Sequence, residues 1–113
     1  MTMIYKICNR AMWQQAVERG VFRGAEIDLQ DGFIHFSSGT QVQETAAKHF
    51  AQQSDLLLIA FDDQTFGDQL KWEVSRGGDL FPHLYDTLDP ESALAVHELA
   101  LDDSGRHIFP ASL

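Results

Sequence analysis

The chain has 113 residues, a hydrophobic share of 44% and a formal net charge of −9 at pH 7. A chain of this length forms one small domain, and its composition is that of an ordinary globular protein rather than a disordered or coiled-coil one. The acidic balance argues against general nucleic-acid binding, because such proteins need a concentrated positive field to displace counterions from phosphates. We therefore predict a single domain over residues 1–113.

Location and redox state follow from simple features of the chain. No run approaches the roughly 18 to 20 apolar residues that a membrane span requires, and the opening MTMIYKICNR lacks a signal-peptide pattern. Cys8 is the single cysteine, so no intrachain disulfide can form. These features predict a cytoplasmic protein that does not bind membranes. Cys8 itself is expected to be a small buried residue rather than a nucleophile.

The first third of the chain predicts a strand, a helix and a second strand. Met3 to Ile7 is typical of a strand, and Asn9 can cap a helix that Gly20 ends. A turn-rich segment follows. After it, the apolar run from Phe33 to Phe36 predicts the second strand, which His35 interrupts.

The middle of the chain predicts a second helix and a buried strand. Ser38 or Thr40 can cap the helix, in which apolar positions between Val42 and Phe50 recur at helical spacing. The apolar run LLLIAF, after Asp55, is too short for a typical helix and predicts a central strand.

The last part of the chain predicts further strands joined by turns. Leu70 to Val74 is typical of a strand, and a turn from Arg76 to Asp79 leads into the extended segment LFPHLY. Pro82 argues against a central strand there, because proline donates no backbone hydrogen bond. Residues 93–101 fit a strand or a short helix, and we favour a strand that forms a hairpin with HIF. The whole pattern predicts an α+β fold with about two helices and about five to seven strands.

The segment DGFIHFSSGT is the first candidate for a site. His35 and Ser37 share one face of the predicted strand, because side chains alternate along it, and Ser38 lies beside them. Free N–H groups at the start of the next helix favour an anion at this point. A half-buried histidine bonded to backbone, with a serine that only caps the helix, fits the same spacing equally well.

The segment LKWEVSRGGDLFPHLY is the second candidate. His83 and Tyr85 share a face, and a glycine turn allows a ligand close to the backbone. Glu73 can serve as a base or a ribose-binding carboxylate, although most glutamates lie in solvent. The turn Arg76–Gly78 can meet a phosphate or form a simple hairpin.

Familiar sequence signatures are absent. The chain has no GxGxxG, GxxxxGK[ST], HExxH, CxxC or GxSxG, and its five histidines show no close ligand spacing, so no metal is expected. A nucleophile pair of Ser37 and His83, oriented by a carboxylate such as Glu73, is another interpretation of the same residues. A small-molecule ligand stays open, because basic residues can still build a locally positive pocket: Lys6, Lys71, Arg76 or Arg23.

With IYKI at its start, the order of DGFIHFS, QVQETAAKHF and KWEVSRGGDLFPHLY resembles the bacterial family named domain of unknown function 952, over nearly the whole chain. The resemblance implies an ADP-ribosyltransferase-like fold, with a mainly antiparallel split β core that binds NAD without GxGxxG. RNA 2′-phosphotransferases of that superfamily carry a strand H-x-H-h-S before a helix, and FIHFSS is similar, with Phe33 in place of the first histidine. IYKIC offers Tyr5 and Lys6 where that superfamily has a first-strand histidine or arginine.

The resemblance implies an NAD-utilising, ADP-ribosyltransferase-like enzyme that acts at the nicotinamide ribose, with NAD as substrate. His35 and Ser37 would orient the ribose, Glu73 would polarise a ribose hydroxyl, and His83 would be an anchor or proton carrier. The turn Arg76–Gly78 would approach phosphate. The alternative is a non-catalytic nucleotide-binding or protein-interaction module with the same fold, which the absence of the first-strand histidine or arginine favours. The implied catalytic residues are His35, Glu73 and His83, and the implied ligand-binding residues are Lys6, Ser37, Ser38, Arg76, Gly77, Gly78 and Tyr85.

Overall fold

The structure is a computed structural model that describes residues 2–111 and 113, and of Arg76 the backbone alone. Over these residues the chain forms an α+β fold of seven strands, three α-helices and three short 3-10 segments. The elements are β1 (Met3–Asn9), α1 (Arg10–Arg19), α2 (Glu26–Asp31), β2 (Ile34–His35), β3 (Ser37–Ser38), α3 (Val42–His49), β4 (Leu56–Asp62), β5 (Leu70–Val74), β6 (Leu80–Leu84) and β7 (Ala95–Leu99), with 3-10 segments at Asp63–Gln69, Arg76–Gly78 and Pro90–Ser92.

The strands form two antiparallel sheets. The first has the order β3-β1-β4-β7 and the second the order β2-β6-β5. β2 and β3 are separated by Phe36 alone, yet they belong to different sheets. The chain therefore crosses from one sheet to the other between His35 and Ser37, and this crossing determines where the two side chains lie.

The four-stranded sheet is covered on both faces, which is why its inner strand β4 is apolar and buried over all but its last residue. The odd-numbered residues of β4 pack in a cluster with Trp13 of α1 and with the three-stranded sheet. Leu56 and Leu58 pack on the opposite face, against Val42 and Ala46 of α3. The predicted strand at LLLIAF is confirmed.

The three-stranded sheet has one apolar and one largely polar face, because its strands alternate in register. Ile34 and Leu84 are opposite each other and face the core. The pairing of His35 with His83, and of His83 with Lys71, sets the other face. That face carries His35, Lys71, Glu73, Phe81, His83 and Tyr85.

Helix α1 follows the sequence prediction, whereas the start of α3 does not. The Asn9 side chain accepts hydrogen bonds from the first-turn amides of α1, and Gly20 ends the helix in a left-handed conformation with φ 78°. The expected cap of α3 by Ser38 or Thr40 is wrong, since α3 begins at Val42 without a side-chain cap. Ser38 is paired in β3, and its Oγ lies 3.1 Å from Oγ1 of Thr40.

Pro82 lies in the central strand of the three-stranded sheet, so the prediction against a central strand is wrong. The Pro82 carbonyl accepts a hydrogen bond of 3.0 Å from the Phe36 amide. A residue's N–H and C=O point to the same edge of an antiparallel strand, so the missing donor faces Phe36 as well. β2 ends at His35, and the proline therefore sits where this ladder stops.

The C-terminal region forms the predicted strand, here β7, which pairs with β4. The hairpin with HIF is reduced to a single bridge between Leu101 and His107. Helix α2, in contrast, occupies a segment interpreted as turns. In the described part of the chain, no helix has the length and apolar character needed to cross a bilayer.

Candidate functional site

A cleft of about 540 Å³ lies between residues of the two sheets, beside the crossing at Phe36. The four-stranded sheet contributes Lys6 and Ser37, the three-stranded sheet contributes His35 and His83, and α3 contributes Thr45. Four predicted site residues thus meet in one cleft, although they come from three separate segments of sequence.

Asp28, on α2, is the centre of a buried network behind the cleft. Its side chain is about 1% exposed. Oδ2 accepts hydrogen bonds of 2.8 Å from both Nζ of Lys6 and the amide of Ala25. Oδ1 accepts 3.0 Å from the His35 amide and lies 2.6 Å from Nδ1 of the same residue. The predicted ligand residue Lys6 is therefore neutralised inside the protein.

Two opposing effects set the pKa of the Asp28 carboxyl: burial raises it, and contacts with His35 and Lys6 lower it. Burial by itself raises the pKa, because it penalises the charged form. The hydrogen bonds from His35 and the charge and hydrogen bonds of Lys6 outweigh burial and lower the pKa of Asp28 to about 2. Asp28 is thus a carboxylate at neutral pH and anchors α2 against β1 and β2.

His35 contacts a carboxylate with each ring nitrogen. Nδ1 faces Asp28, and Nε2 lies 3.0 Å from Oδ2 of Asp31 at the end of α2. Both ring nitrogens of His35 are therefore engaged by carboxylates of the protein itself, and neither is left open to a molecule in the cleft.

His83 is held differently. His83 is 5% exposed, and its ring stacks on the ring of Phe33 with 4.1 Å between the two ring centroids. Nδ1 lies 2.9 Å from Oε1 of Glu73, and the same oxygen accepts a 2.6 Å hydrogen bond from the Tyr85 hydroxyl. Among residues 2–111 and 113, Nε2 of His83 has no hydrogen-bond partner. One nitrogen thus stays available to a molecule in the cleft.

Oε1 of Glu73 contacts both His83 and Tyr85, and these contacts shift the pKa values of Glu73 and Tyr85. The hydrogen bond from Tyr85, and then that from His83, lower the pKa of the Glu73 carboxyl. The same bond raises the pKa of Tyr85. Glu73 does not line the cleft itself and reaches it through His83.

Ser37 lies on the cleft wall but makes no hydrogen bond to His83 within the described residues. Its Oγ is buried and lies 2.9 Å from Oγ1 of Thr45, which donates to the Gln41 carbonyl. Either hydroxyl can donate in the contact between Ser37 and Thr45. A nucleophile pair of Ser37 and His83 therefore lacks its defining contact in this structure.

The glycine turn borders a second cleft of about 410 Å³. Gly77 and Phe81 line it together with residues of α3, and Phe81 also lines the first cleft. Gly77 and Gly78 have φ of 65° and 83°, which glycine adopts readily. The Arg76 side chain lies outside the described residues. Ser38 and Gly78 line neither cleft.

Three site residues were not predicted from the sequence: Asp28, Asp31 and Thr45. A signal for the two aspartates was present in EIDLQDG, where they lie three residues apart just before the strand of His35, a spacing that places them on one side of a helical turn. In the part of the chain that the structure describes, no three acidic, histidine or cysteine side chains are grouped to hold a metal ion. Cys8 is buried, which raises its pKa to about 11.

The chain is similar to solved structures of a protein from Caulobacter crescentus. The X-ray structure of protein CC0527 from Caulobacter crescentus is 48% identical, with a TM-score of 0.91 over 95% of this chain and 94% of that chain. The solution NMR structure of CC0527 is 50% identical, with a TM-score of 0.85 over 94% and 91%. Proteins of curated function give no significant match. The family described as Protein of unknown function (DUF952) matches residues 7–96, and the chain therefore belongs to that family.

Proposed function

We propose that the cleft binds NAD at its nicotinamide ribose and that the protein breaks the bond between nicotinamide and ribose. The observation that carries this proposal is the meeting of His35, Ser37 and His83 in one cleft, although two sheets supply them. The segment with His35 and Ser37 resembles the H-x-H-h-S strand of the ADP-ribosyltransferase superfamily, and the segment with His83 is part of the resemblance to domain of unknown function 952. Two facing antiparallel sheets are compatible with the split β core that this resemblance implies.

The size and lining of the cleft support a ribose with an attached flat ring. Ligand pockets commonly measure roughly 300–1,000 Å³ and combine apolar walls with a few polar groups. The aromatic rings of Tyr5, Phe50 and Phe81 provide apolar wall, and Ser37 provides a hydroxyl. Together they offer contacts to both parts of a nicotinamide riboside.

A carboxylate for the ribose hydroxyls is also at hand, although it is Asp31 rather than Glu73 that lines the cleft. Oδ2 of Asp31 is bonded to His35, which fixes the side chain in place. The other oxygen can accept a hydrogen bond from a ribose hydroxyl, as carboxylates do in other nucleotide sites. His35 would then act on the ribose by holding Asp31 in place.

The rest of a dinucleotide has a path along the glycine turn. Ser75 lines the first cleft and Gly77 lines the second, while Phe81 borders both. A pyrophosphate beside Ser75 and Gly77 would continue toward the second cleft. Two adjoining clefts thus favour a ligand of two linked parts over a single small ring.

One observation favours the second candidate, a binding module without catalysis. Lys6 and both nitrogens of His35 already have carboxylate partners within the protein. Groups engaged in this way stabilise the fold whether or not a reaction occurs. A module would bind the same nucleotide and release it unchanged.

NAD titration by calorimetry, followed by detection of nicotinamide in the same samples, separates these functions. We expect saturable binding by the wild type, binding weakened roughly tenfold or more in Ser37→Ala and Asp31→Ala, and release of nicotinamide. His97→Asn is the matched control and should bind as the wild type does, because His97 lies on β7, at the opposite edge of the four-stranded sheet from Ser37, and does not line the cleft. Binding without release would establish the module, and the absence of binding by the folded wild type would refute both.

A further inference from the structure

We propose that His83 is the general base of the cleft, that Glu73 and Tyr85 are its positioning residues, and that it takes a proton from a water or hydroxyl beside the bound ribose. This inference rests on the proposed function and assigns the proton transfer within it. It follows from how the ring of His83 is held, and from how the ring of His35 is held differently.

The ring of His83 is fixed in three ways. Phe33 stacks on it at 4.1 Å, with 27° between the ring planes. Oε1 of Glu73 lies 2.9 Å from Nδ1, and Tyr85 donates to that oxygen at 2.6 Å. Tyr85 thereby fixes the carboxylate, the carboxylate fixes Nδ1, and the stacking fixes the plane of the ring.

The contact with Glu73 also decides which nitrogen is basic. A carboxylate accepts and cannot donate, so Nδ1 of neutral His83 carries the proton and Nε2 carries the lone pair. His83 lines the cleft whereas Glu73 does not, which makes Nε2 the nitrogen that a molecule in the cleft can reach. A base with a carboxylate behind it and an open nitrogen in front is the arrangement that hydroxyl activation needs.

The proposed reaction is a nucleophilic displacement at C1′ of the ribose. The attacking oxygen forms a bond to C1′ and loses its proton to Nε2 of His83. The bond from C1′ to the nicotinamide nitrogen breaks, and its electron pair neutralises the pyridinium. With water as the attacking group, the products are ADP-ribose, nicotinamide and one proton, which the imidazolium returns to solvent.

His35 cannot take this role in the geometry observed, because both of its nitrogens are engaged by carboxylates. An experiment can therefore distinguish the role of His83 from that of His35. We expect His83→Asn to bind NAD with nearly wild-type affinity and to release nicotinamide roughly a hundredfold more slowly or worse. His97→Asn on β7 serves again as the control with unchanged binding and release.

The experiment combines three measurements on folded protein. Nitrogen NMR of the imidazole rings should show neutral His83 with its proton on Nδ1 in the wild type, and a changed proton distribution in Glu73→Leu. Added imidazole should restore release to His83→Ala in a saturable way, because the vacated space faces the cleft; a purely structural role would give no such rescue. Tyr85→Phe should slow release without weakening NAD binding.

The failures are distinguishable. A wild type that binds no NAD overturns the proposed function. Normal NAD binding together with wild-type release by His83→Asn overturns the assignment of the base alone. Neutral His83 with its proton on Nε2 overturns that assignment as well, whatever ligand the cleft holds.

Discussion

His35 and His83 lie opposite each other on neighbouring strands, with 5.6 Å between their ring centroids, and yet their surroundings differ in kind. His35 contacts two carboxylates, Asp28 and Asp31, one at each nitrogen. His83 contacts one carboxylate, Glu73, at Nδ1. The number of carboxylates around an imidazole decides how many of its ring nitrogens are left open to a ligand.

The residues bonded to Asp28, here called the Asp28 side, and the residues bonded to Glu73, here called the Glu73 side, also differ in what they do for the fold. The Asp28 side is buried and joins α2, β1 and β2 through ion pairs and backbone hydrogen bonds. The Glu73 side is partly exposed and lies within one sheet. We infer that the first side holds the structure together and the second side is free to serve chemistry, and each prediction below tests this division.

The largest effect is expected from Asp28→Asn. The change leaves the ammonium of Lys6 buried without its carboxylate and weakens both contacts to His35. Breaking a buried ion pair from one side commonly costs about 3–5 kcal/mol, because the remaining charge is uncompensated. The unfolding free energy from urea titration should fall by that amount. Asp31→Asn is the matched control, since its side chain is 41% exposed, and a loss of similar size there would contradict the division.

Acid should weaken the fold through the same carboxyl. The pKa of Asp28 is about 2 in the folded protein and 3.8 as its ordinary value, so the unfolded chain binds the proton first as the pH falls. Its contribution is fully present above about pH 5 and is lost as the pH falls through about 2. The difference in pKa corresponds to about 2 kcal/mol.

Urea titrations of the wild type and Asp28→Asn at about pH 6, 4 and 3 would measure this contribution directly. The gap in unfolding free energy between the two proteins should narrow as the pH falls. A constant gap would show that protonation of Asp28 does not contribute to acid sensitivity. Other carboxyls titrate in both proteins and cancel in the comparison.

A smaller loss is expected from Gly24→Ala. Gly24 has φ 120°, and a methyl group there would lie 2.8 Å from Cβ of Asp28. Asp28 cannot yield without stretching its bonds to Lys6 and His35, so the change should cost about 1–2 kcal/mol. Gly20→Ala is the control, because its φ of 78° is also left-handed but nothing lies within 4 Å. Equal losses in thermal denaturation would show that the contact with Asp28 is unimportant.

The predictable part of this fold is the part that local pattern determines. An apolar run predicted β4, the segment Leu70 to Val74 was correctly predicted as β5, and the cap at Asn9 and the stop at Gly20 placed α1 correctly, because these signals act within a few residues. Period-two alternation placed His83 and Tyr85 on one face, which the structure confirms. Such signals need no knowledge of the partner strand.

The features that local pattern did not predict depend on contacts between residues that are far apart in the sequence. Helix α2 is anchored by Asp28, whose partner Lys6 lies 22 positions away, so its local turn residues were misleading. The crossing at Phe36, which sends His35 and Ser37 to different sheets, follows from strand pairing alone. The link from Glu73 to His83 likewise requires the register of β5 against β6. Sequence pattern thus predicted four of the residues that line the cleft, whereas strand pairing determines how they come together.

The smallest effect on stability is expected from Glu73→Gln, and this is the sharpest test of the difference between the two sides. Glutamine keeps the shape of the side chain and can still accept from Tyr85, and the position is partly exposed. The midpoint of urea unfolding should therefore stay close to that of the wild type. Nicotinamide release should nevertheless fall, because an amide no longer fixes the proton on Nδ1 of His83. If Glu73→Gln instead unfolds as readily as Asp28→Asn while its release rate stays normal, then the Glu73 side is structural, and the two histidines differ in geometry without differing in function.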